Sequence, residues 1–260
     1  MVSGYRSKNA VKMQKEKKDM NEFQKKYEKE IEELVNACHR CAELNYVTSS
    51  GGNLSLRIEE DLILITPTKT LKRTMRFEDI CAIKLDGEEV YFPEGKKPTG
   101  EWKFHTRIMR RRPDIRAIVH AHPPILTGFA IANDGTMEKP FLPEPIIEVG
   151  PILTVPYETP LSEALSERFD EVIEKSNGFL MENHGALFCS FAGIEDAVEL
   201  LNMTECMAES ILVARLLGNP KTITKEYVEE MDWVIRERNL KVPGIQGKPK
   251  SIGEMYHIEK

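Results

Sequence analysis

The chain has 260 residues, 41% of them apolar, with five cysteines and a formal charge of -6. That is enough for one large domain with a sizeable core, or for two small ones. A negative chain whose basic residues gather only near the N-terminus does not suit nucleic acid as its main partner, and no apolar run reaches the roughly 18 residues that a membrane span needs.

The N-terminus lacks the apolar stretch of a secretory signal. An odd number of cysteines in a chain of this size suggests reduced thiols and a cytoplasmic setting. Residues 1–20 are rich in lysine and nearly free of large apolar side chains, and read as a flexible arm. From Asn21, a plausible N-cap, Phe23, Tyr27, Ile31, Leu34, Val35, Cys38, Cys41 and Leu44 recur at helical spacing. Cys38 and Cys41 fall inside that helix, which is not the strand-to-helix context of a redox pair, and no second pair completes a zinc ribbon.

The period then changes. Thr48 to Asn53 is a polar turn with Gly51 and Gly52. Leu54, Leu56 and Ile58 alternate with Ser55 and Arg57, which predicts a half-buried strand, and Leu62 to Ile65 predicts a second. Thr66 to Lys72 is a loop rich in hydroxyls and positive charge. Ile80 to Leu85 and Glu89 to Phe92 flank Asp86-Gly87, a hairpin signal. Pro98-Thr99-Gly100 leads into a helix from Glu101 to about Arg112, stopped by Pro113. Ile115 to Val119 reads as a buried strand, and Pro123-Pro124 opens another helix. Residues 133–150 look irregular. Ile152 to Val155 predicts a strand, Leu161 to Lys175 a helix, and Gly178 to Glu182 a strand that continues past Asn183-His184-Gly185 through Ala186 to Cys189. Gly193 to Leu217 and Thr224 to Arg238 predict helices, and 243–260 a tail. Strands and helices mix and hairpins occur, so the sheet should be at least partly antiparallel.

The candidate chemistry centres on His120 and His122. On a strand, residues i and i+2 share a face, so both imidazoles can reach one point. Neutral imidazole is a favoured zinc ligand. His184 ends another strand, where Gly185 permits a tight backbone. Glu101 begins a helix after a turn. Three histidines with an open fourth position make a catalytic metal geometry, and a neighbouring carboxylate can serve as general base. Taken singly, His184 could be a turn residue and Glu101 a helix-start acid. Gly52-Asn53, Thr66 to Lys69 and Thr99-Gly100 offer turn amides, hydroxyls and a helix end, the parts of an anion cradle, to which Lys69 or Lys72 would add charge.

These residues resemble the class II, metal-dependent sugar-phosphate aldolases of the L-fuculose-phosphate aldolase and adducin-head type. The matching pieces run in the family's order over about residues 21–220. They are Gly52-Asn53-Leu54-Ser55, Thr66-Pro67-Thr68, Pro98-Thr99-Gly100-Glu101-Trp102-Lys103-Phe104-His105, His120-Ala121-His122 and Asn183-His184-Gly185. The resemblance implies a three-layer α/β/α domain over 21–242 with a central, mostly antiparallel sheet. It implies Zn2+ held by His120, His122 and His184, a place that Mn2+ or Co2+ could also take. Glu101 is then the acid/base, and Asn53, Thr68, Lys69, Thr99 and Gly100 form the substrate and phosphate pocket. His105, four residues after Glu101, matches a family position that is not a ligand.

The activity so implied is reversible retro-aldol cleavage of a phosphorylated ketose through a metal-stabilised enediolate, in a homotetramer. Pentulose-phosphate 4-epimerases and sugar-acid-phosphate decarboxylases work on the same metal site, and an adducin-like interaction module would not need the ligands. The chain departs from the aldolase pattern in three places. Lys69 stands where glycine is usual, Thr99-Gly100 replaces Ser-Ser, and no tyrosine lies near Pro143-Glu144-Pro145, where the fuculose-type proton donor falls.

Overall fold

The computed structural model describes residues 20–248 and 251–256. The lysine-rich arm predicted over 1–20 lies almost wholly outside them. Eight strands form one sheet: β1 (Asn53–Arg57), β2 (Leu62–Ile65), β3 (Cys81–Lys84), β4 (Glu89–Tyr91), β5 (Ala117–Ala121), β6 (Leu153–Val155), β7 (Gly178–Met181) and β8 (Gly185–Ser190). Their order is β4-β3-β2-β1-β5-β8-β7-β6. Every neighbouring pair is antiparallel except β6 with β7. The mostly antiparallel α/β sheet expected from the sequence is what the chain forms.

Both faces of the sheet are covered, which gives three layers. On one face Leu54, Leu56, Val119 and Phe188 pack with residues of α2 (Glu28–Glu43), α4 (Pro124–Ala132) and α7 (Ile194–Leu217). On the other, Ile63, Ile118, Phe179 and Leu187 pack with α3 (Trp102–Arg111) and α6 (Glu163–Arg168). Double covering explains why β1 is buried at four of its five positions, where alternation predicted a half-buried strand.

Several boundaries differ from the sequence reading. Asn21 does cap a helix, through a reciprocal bond pair with Gln24, but that helix is the short α1 (Glu22–Lys26), broken from α2 at Tyr27. β5 runs on through His120, so the first histidine is a ladder residue. The helix expected over 161–175 is only α6 and a 3-10 turn (Phe169–Glu171). The stretch 133–150, read as irregular, holds α5 (Pro143–Glu148), a proline-led helix too short to give a periodic signal.

Beyond residue 242 the described chain packs onto the domain. The helix α9 (Ile252–Met255) buries Ile252 against Val228, Met231 and Ile235 of α8 (Lys225–Glu237). Arg112, fully buried, fastens the same region. Its guanidinium pairs with Asp114 and donates to Ile173 O at 2.7 Å, Asn177 Oδ1 at 3.0 Å and Gly244 O at 2.7 Å. Removing one partner of a buried, fully bonded charge leaves the others unpaired. Arg112→Met should therefore cost about 3–5 kcal/mol in urea unfolding and open the chain after Val242 to limited proteolysis; an unchanged midpoint with a protected C-terminal segment would contradict this.

Candidate metal centre

The centre lies where β1, β5, the β7–β8 turn and the start of α3 meet. Register builds it. Asn53 pairs with His120 across β1 and β5, and Ala121 pairs with Ala186 across β5 and β8. His120 therefore projects on the α3 side, edge-on to Phe104. His122 lies just beyond the strand, held by its own N–H to Tyr46 O at 2.8 Å. His184 closes the β7–β8 hairpin beside Asn183, which takes the left-handed conformation (φ 54°).

Two glycines admit the backbone here. A Cβ on Gly185 would lie 2.6 Å from Ala121 O and 2.6 Å from His122 Cδ2. Gly52 has φ +68°, and its Cβ would meet His120 O at 2.8 Å. Neither position accepts a larger residue without moving a histidine.

His120, His122 and His184 each bring a ligand atom within 4.8 Å of the others. His120 donates from Nδ1 to Ala186 O at 3.0 Å, which leaves the Nε2 lone pair facing inward. That Nε2 is 3.2 Å from His122 Nε2. Two nitrogens so spaced subtend about 100° at a cation about 2.0–2.1 Å from each, close to a tetrahedral angle. Glu101, the N-cap residue of α3, places Oε2 at 3.6 Å from His120 Nε2 and Oε1 at 3.6 Å from His184 Nε2. The other His184 nitrogen, Nδ1, is buried without a hydrogen-bond partner among the described residues. Inward lone pairs and carboxylate oxygens facing one another make a donor set that a divalent cation satisfies.

Two of the histidines are held towards the neutral form. Burial, then repulsion from His122 and His184, holds His120 well below the usual imidazole range. Burial, then His184 and Lys72, pushes His122 down to about 4.

Behind Glu101 runs a buried chain. Asn53 Nδ2 donates to Glu101 Oε2 at 2.7 Å, His105 Nε2 lies 2.5 Å from Asn53 Oδ1, and Ser55 Oγ lies 2.7 Å from His105 Nδ1. An ionised carboxylate only accepts, so the amide must turn its NH2 to Glu101 and its oxygen to His105. His105 then carries its proton on Nε2 and accepts from Ser55. Burial pushes His105 down to about 3, which keeps it neutral. His105, at a position the resemblance does not give to a ligand, fixes the Asn53 amide from behind the carboxylate. The available signal was the i, i+4 spacing from Glu101 on one helix face.

The residues expected to bind an anion lie on loops zipped together by Thr99 N–H to Thr66 O at 3.0 Å and Thr68 N–H to Lys97 O at 2.9 Å. Thr99 is buried, and its hydroxyl accepts from the Glu101 N–H at 3.3 Å. A Cβ on Gly100 would meet Leu161 at 2.9 Å. Thr68 and Lys69 are exposed. Lys69 has φ 53°, the left-handed conformation, at the position where the resembling aldolases carry glycine. Asn53, expected in that pocket, is 3% exposed and has bonds to both Glu101 and His105. Cys38 and Cys41 are free and buried in the core of α2, and burial pushes the Cys41 thiol up to about 12, which makes it inert.

A three-layer α/β/α domain with a three-histidine centre and a carboxylate beside it defines a metal-binding enzyme scaffold. The chain belongs to the class II aldolase and adducin N-terminal domain family, whose model matches residues 32–212. It is 32% identical over 188 residues to L-fuculose phosphate aldolase of Methanococcus maripaludis, covering 72% of this chain and 97% of that one. It is 34% identical over 143 residues to 3-oxo-tetronate 4-phosphate decarboxylase of Pectobacterium atrosepticum, covering 54% of this chain and 64%, less than two thirds, of that one. The same enzyme of Escherichia coli K12 is 27% identical over 203 residues, covering 77% and 92%. Among solved structures, an L-fuculose 1-phosphate aldolase superposes with a TM-score of 0.70 at 24% identity, covering 81% of this chain and 96% of that one, a likeness of fold.

Two outcomes follow from this geometry. Gly185→Ala should weaken metal binding in a calorimetric titration by tenfold or more, because the added methyl displaces His122; unaltered affinity would show that the hairpin yields instead. Between pH 6.5 and about 4, His122 and His105 stay neutral in the folded chain while their unfolded counterparts take up protons. The unfolded state then binds more protons, so stability is full above about pH 6.5 and is lost as pH falls through that window. The melting temperature of metal-free protein should decline over the same range, less steeply in His122→Asn; parallel slopes would show that His122 contributes nothing.

Proposed function

We propose that the chain is a divalent-metal-dependent carbon–carbon lyase that cleaves a phosphorylated ketose by a reversible retro-aldol reaction. The observation that supports this most is the convergence of His120, His122 and His184, with Glu101 3.6 Å from two of them. The three histidines would hold the ion, Zn2+ by preference for imidazole, with Mn2+ or Co2+ as substitutes. When bound, the ion supplies Lewis-acid stabilisation of negative charge on the substrate's carbonyl and hydroxyl oxygens.

The protein's own groups do the rest. Breaking the carbon–carbon bond releases an aldehyde, whose former hydroxyl proton passes to solvent water, and leaves a carbanion equivalent, an enediolate, on the phosphorylated fragment. Glu101 delivers a proton to that carbon in the cleavage direction and removes it in condensation. Asn53, locked by His105, holds the carboxylate in place for the transfer. Thr68, Lys69, Thr99 and Gly100 would bind the phosphate, with the second N–H of Asn53. Assembly as a homotetramer and a cytoplasmic location belong to the same proposal. Leu212, Val213, Leu216 and Leu217, exposed on the last turns of α7, supply apolar surface for such assembly. Among the described residues, no helix is long and apolar enough to cross a membrane.

A second reading, decarboxylation of a phosphorylated 3-oxo acid, is favoured by one observation. The segment around α5, where the aldolase resemblance puts its tyrosine, carries none. Retro-aldol cleavage must take a proton from the hydroxyl that becomes the aldehyde carbonyl, and a positioned base speeds that transfer. Decarboxylation has no such proton to remove, because a carboxylate leaves as carbon dioxide, and only the carbon left behind takes up a proton. The relatives named 3-oxo-tetronate 4-phosphate decarboxylase accord with it.

Metal-loaded protein incubated with phosphorylated ketoses and phosphorylated 3-oxo acids separates the two. Aldehyde release supports the aldol reading, and carbon dioxide release without aldehyde replaces it. With whichever substrate turns over, Glu101→Gln should retain its metal by elemental analysis while kcat drops about a hundredfold or more; near-normal kcat would reject the proton-transfer role.

A further inference from the structure

Of the three histidines, His122 is the one least held by the sheet. The strand ladder fixes His120, whose Nδ1 also donates to Ala186 O at 3.0 Å. His184 sits in the hairpin between the paired strands β7 and β8. His122 follows the end of β5, and among the described residues its ring has no hydrogen-bond partner outside the ligand set. Its direction therefore comes from its backbone. Its own N–H donates to Tyr46 O at 2.8 Å. Next come Pro123 and Pro124, which have no N–H to anchor. The first N–H groups after His122 are those of Ile125 and Leu126, and one carboxylate accepts both. Ile125 N–H meets Glu205 Oε1 at 2.8 Å, and Leu126 N–H meets Glu205 Oε2 at 2.7 Å.

Glu205 comes from the middle of α7 and is 7% exposed. Among the described residues it has no ion-pair partner. Burial pushes its carboxyl up, the two N–H bonds oppose the shift, and Glu209 adds to it. A desolvated carboxylate held by backbone alone is costly, and most helices are capped by a polar residue of their own. The helix α4 has none: its N-cap is Pro123 and its first residue Pro124. The positive end of the α4 dipole offsets part of the cost of the charge. The link from this clamp to the ligand is stiff. A proline holds its φ at about −65°, and the residue ahead of a proline is confined to extended backbone. A shift at Ile125 therefore reaches His122 instead of being absorbed on the way. The same face of α7 serves the other side of His122. Asn202, three residues before Glu205, accepts from the Tyr46 hydroxyl at 2.7 Å.

We propose that Glu205 is a positioning residue for His122: its carboxylate fixes the first turn of α4 and, through the two prolines, the place of the imidazole in the ligand set. The inference rests on the reading that the three histidines hold a divalent metal. Glu205 itself touches neither metal nor substrate. A ligand set must be held within about 0.5 Å of its working geometry, so loosening the clamp alters the surroundings of the metal before it unfolds the domain. A second tie between α7 and α4 supplies the control. Arg215 pairs with Asp134 at 2.7 Å, just past the α4 C-cap Asn133, and lies over the Phe129 ring, 5.2 Å from its centre. That tie is at the far end of the helix, where it secures packing without directing His122.

The test is Co2+ binding to the full chain, followed by calorimetry and by the visible absorption of the bound ion, which reports ligand number and geometry. Glu205→Ala should bind Co2+ at least tenfold more weakly than wild type, with altered absorption bands. Glu205→Gln keeps the bulk and accepts one of the two N–H groups, and should fall between Glu205→Ala and wild type. Arg215→Met should keep wild-type bands and an affinity within twofold of wild type. Unaltered bands and affinity in Glu205→Ala overturn the proposal and leave Glu205 as a helix cap. An equal loss in Arg215→Met overturns it too, because general loosening then explains both. If Glu205→Ala does not fold, Glu205→Gln decides by the same criteria. The imidazole 1H–15N signals of metal-free protein answer without any metal. Those of His122 should move or double in Glu205→Gln while those of His120 stay, and unmoved His122 signals overturn the proposal. Wild-type protein that binds no Co2+, with the His122 signals still moved by Glu205→Gln, would reject the metal reading and leave Glu205 as the residue that places His122.

Discussion

The site depends on the register of β5 between β1 and β8. With Asn53 opposite His120 and Ala121 opposite Ala186, one strand carries a histidine onto the α3 face and ends beside the β7–β8 hairpin. A slip of one residue would turn His120 to the opposite face and bring Val119 or Ala121 in its place. The apolar residues enforce the register. Ala117, Val119 and Ala121 point into one core layer and Ile118 into the other, so a slip would exchange every contact on both faces at once.

Burial then prepares His120 and His122 chemically. Imidazoles removed from water and placed against one another resist protonation, which leaves lone pairs available to a metal at neutral pH. The bond from His120 Nδ1 to Ala186 O fixes which nitrogen faces inward. The same economy of direction governs Glu101. Ser55, His105 and Asn53 form a chain of bonds that all donate in one direction, and the chain ends on the carboxylate. Charge, tautomer and orientation are settled by hydrogen bonds made before any ligand arrives, which is how a preorganised site avoids reorganisation during reaction.

Much of this was legible in the sequence. Period-2 and period-3.6 patterns marked most strands and helices, since side-chain spacing follows directly from backbone geometry. His120-Ala121-His122 announced a shared face, and Gly185 a close approach. The failures have physical causes as well. The helix over 161–175 was over-extended because apolar spacing does not reveal where a chain turns tightly into a 3-10 segment. Residues 243–260 were read as a tail because α9 is a single turn, and the packing of that region comes from α8 and from the Arg112 bond to Gly244, partners distant in sequence.

The sequence by itself determined the candidate ligands, the helix-start carboxylate and the loops fit for anions, because residue type and local spacing limit what a segment can bind. Only the tertiary structure decided that His184, 62 positions after His122, faces the same point as the strand pair. It also decided that Asn53 serves Glu101, that Lys69 is exposed and that Lys72 is buried, its ammonium bonded to Ser50 O at 3.1 Å. Lys69 and Lys72 lie three residues apart in one polar loop and look alike as letters. What separates them is desolvation, and desolvation is set by whichever distant segments close over a side chain, here the Ser50 turn and α2.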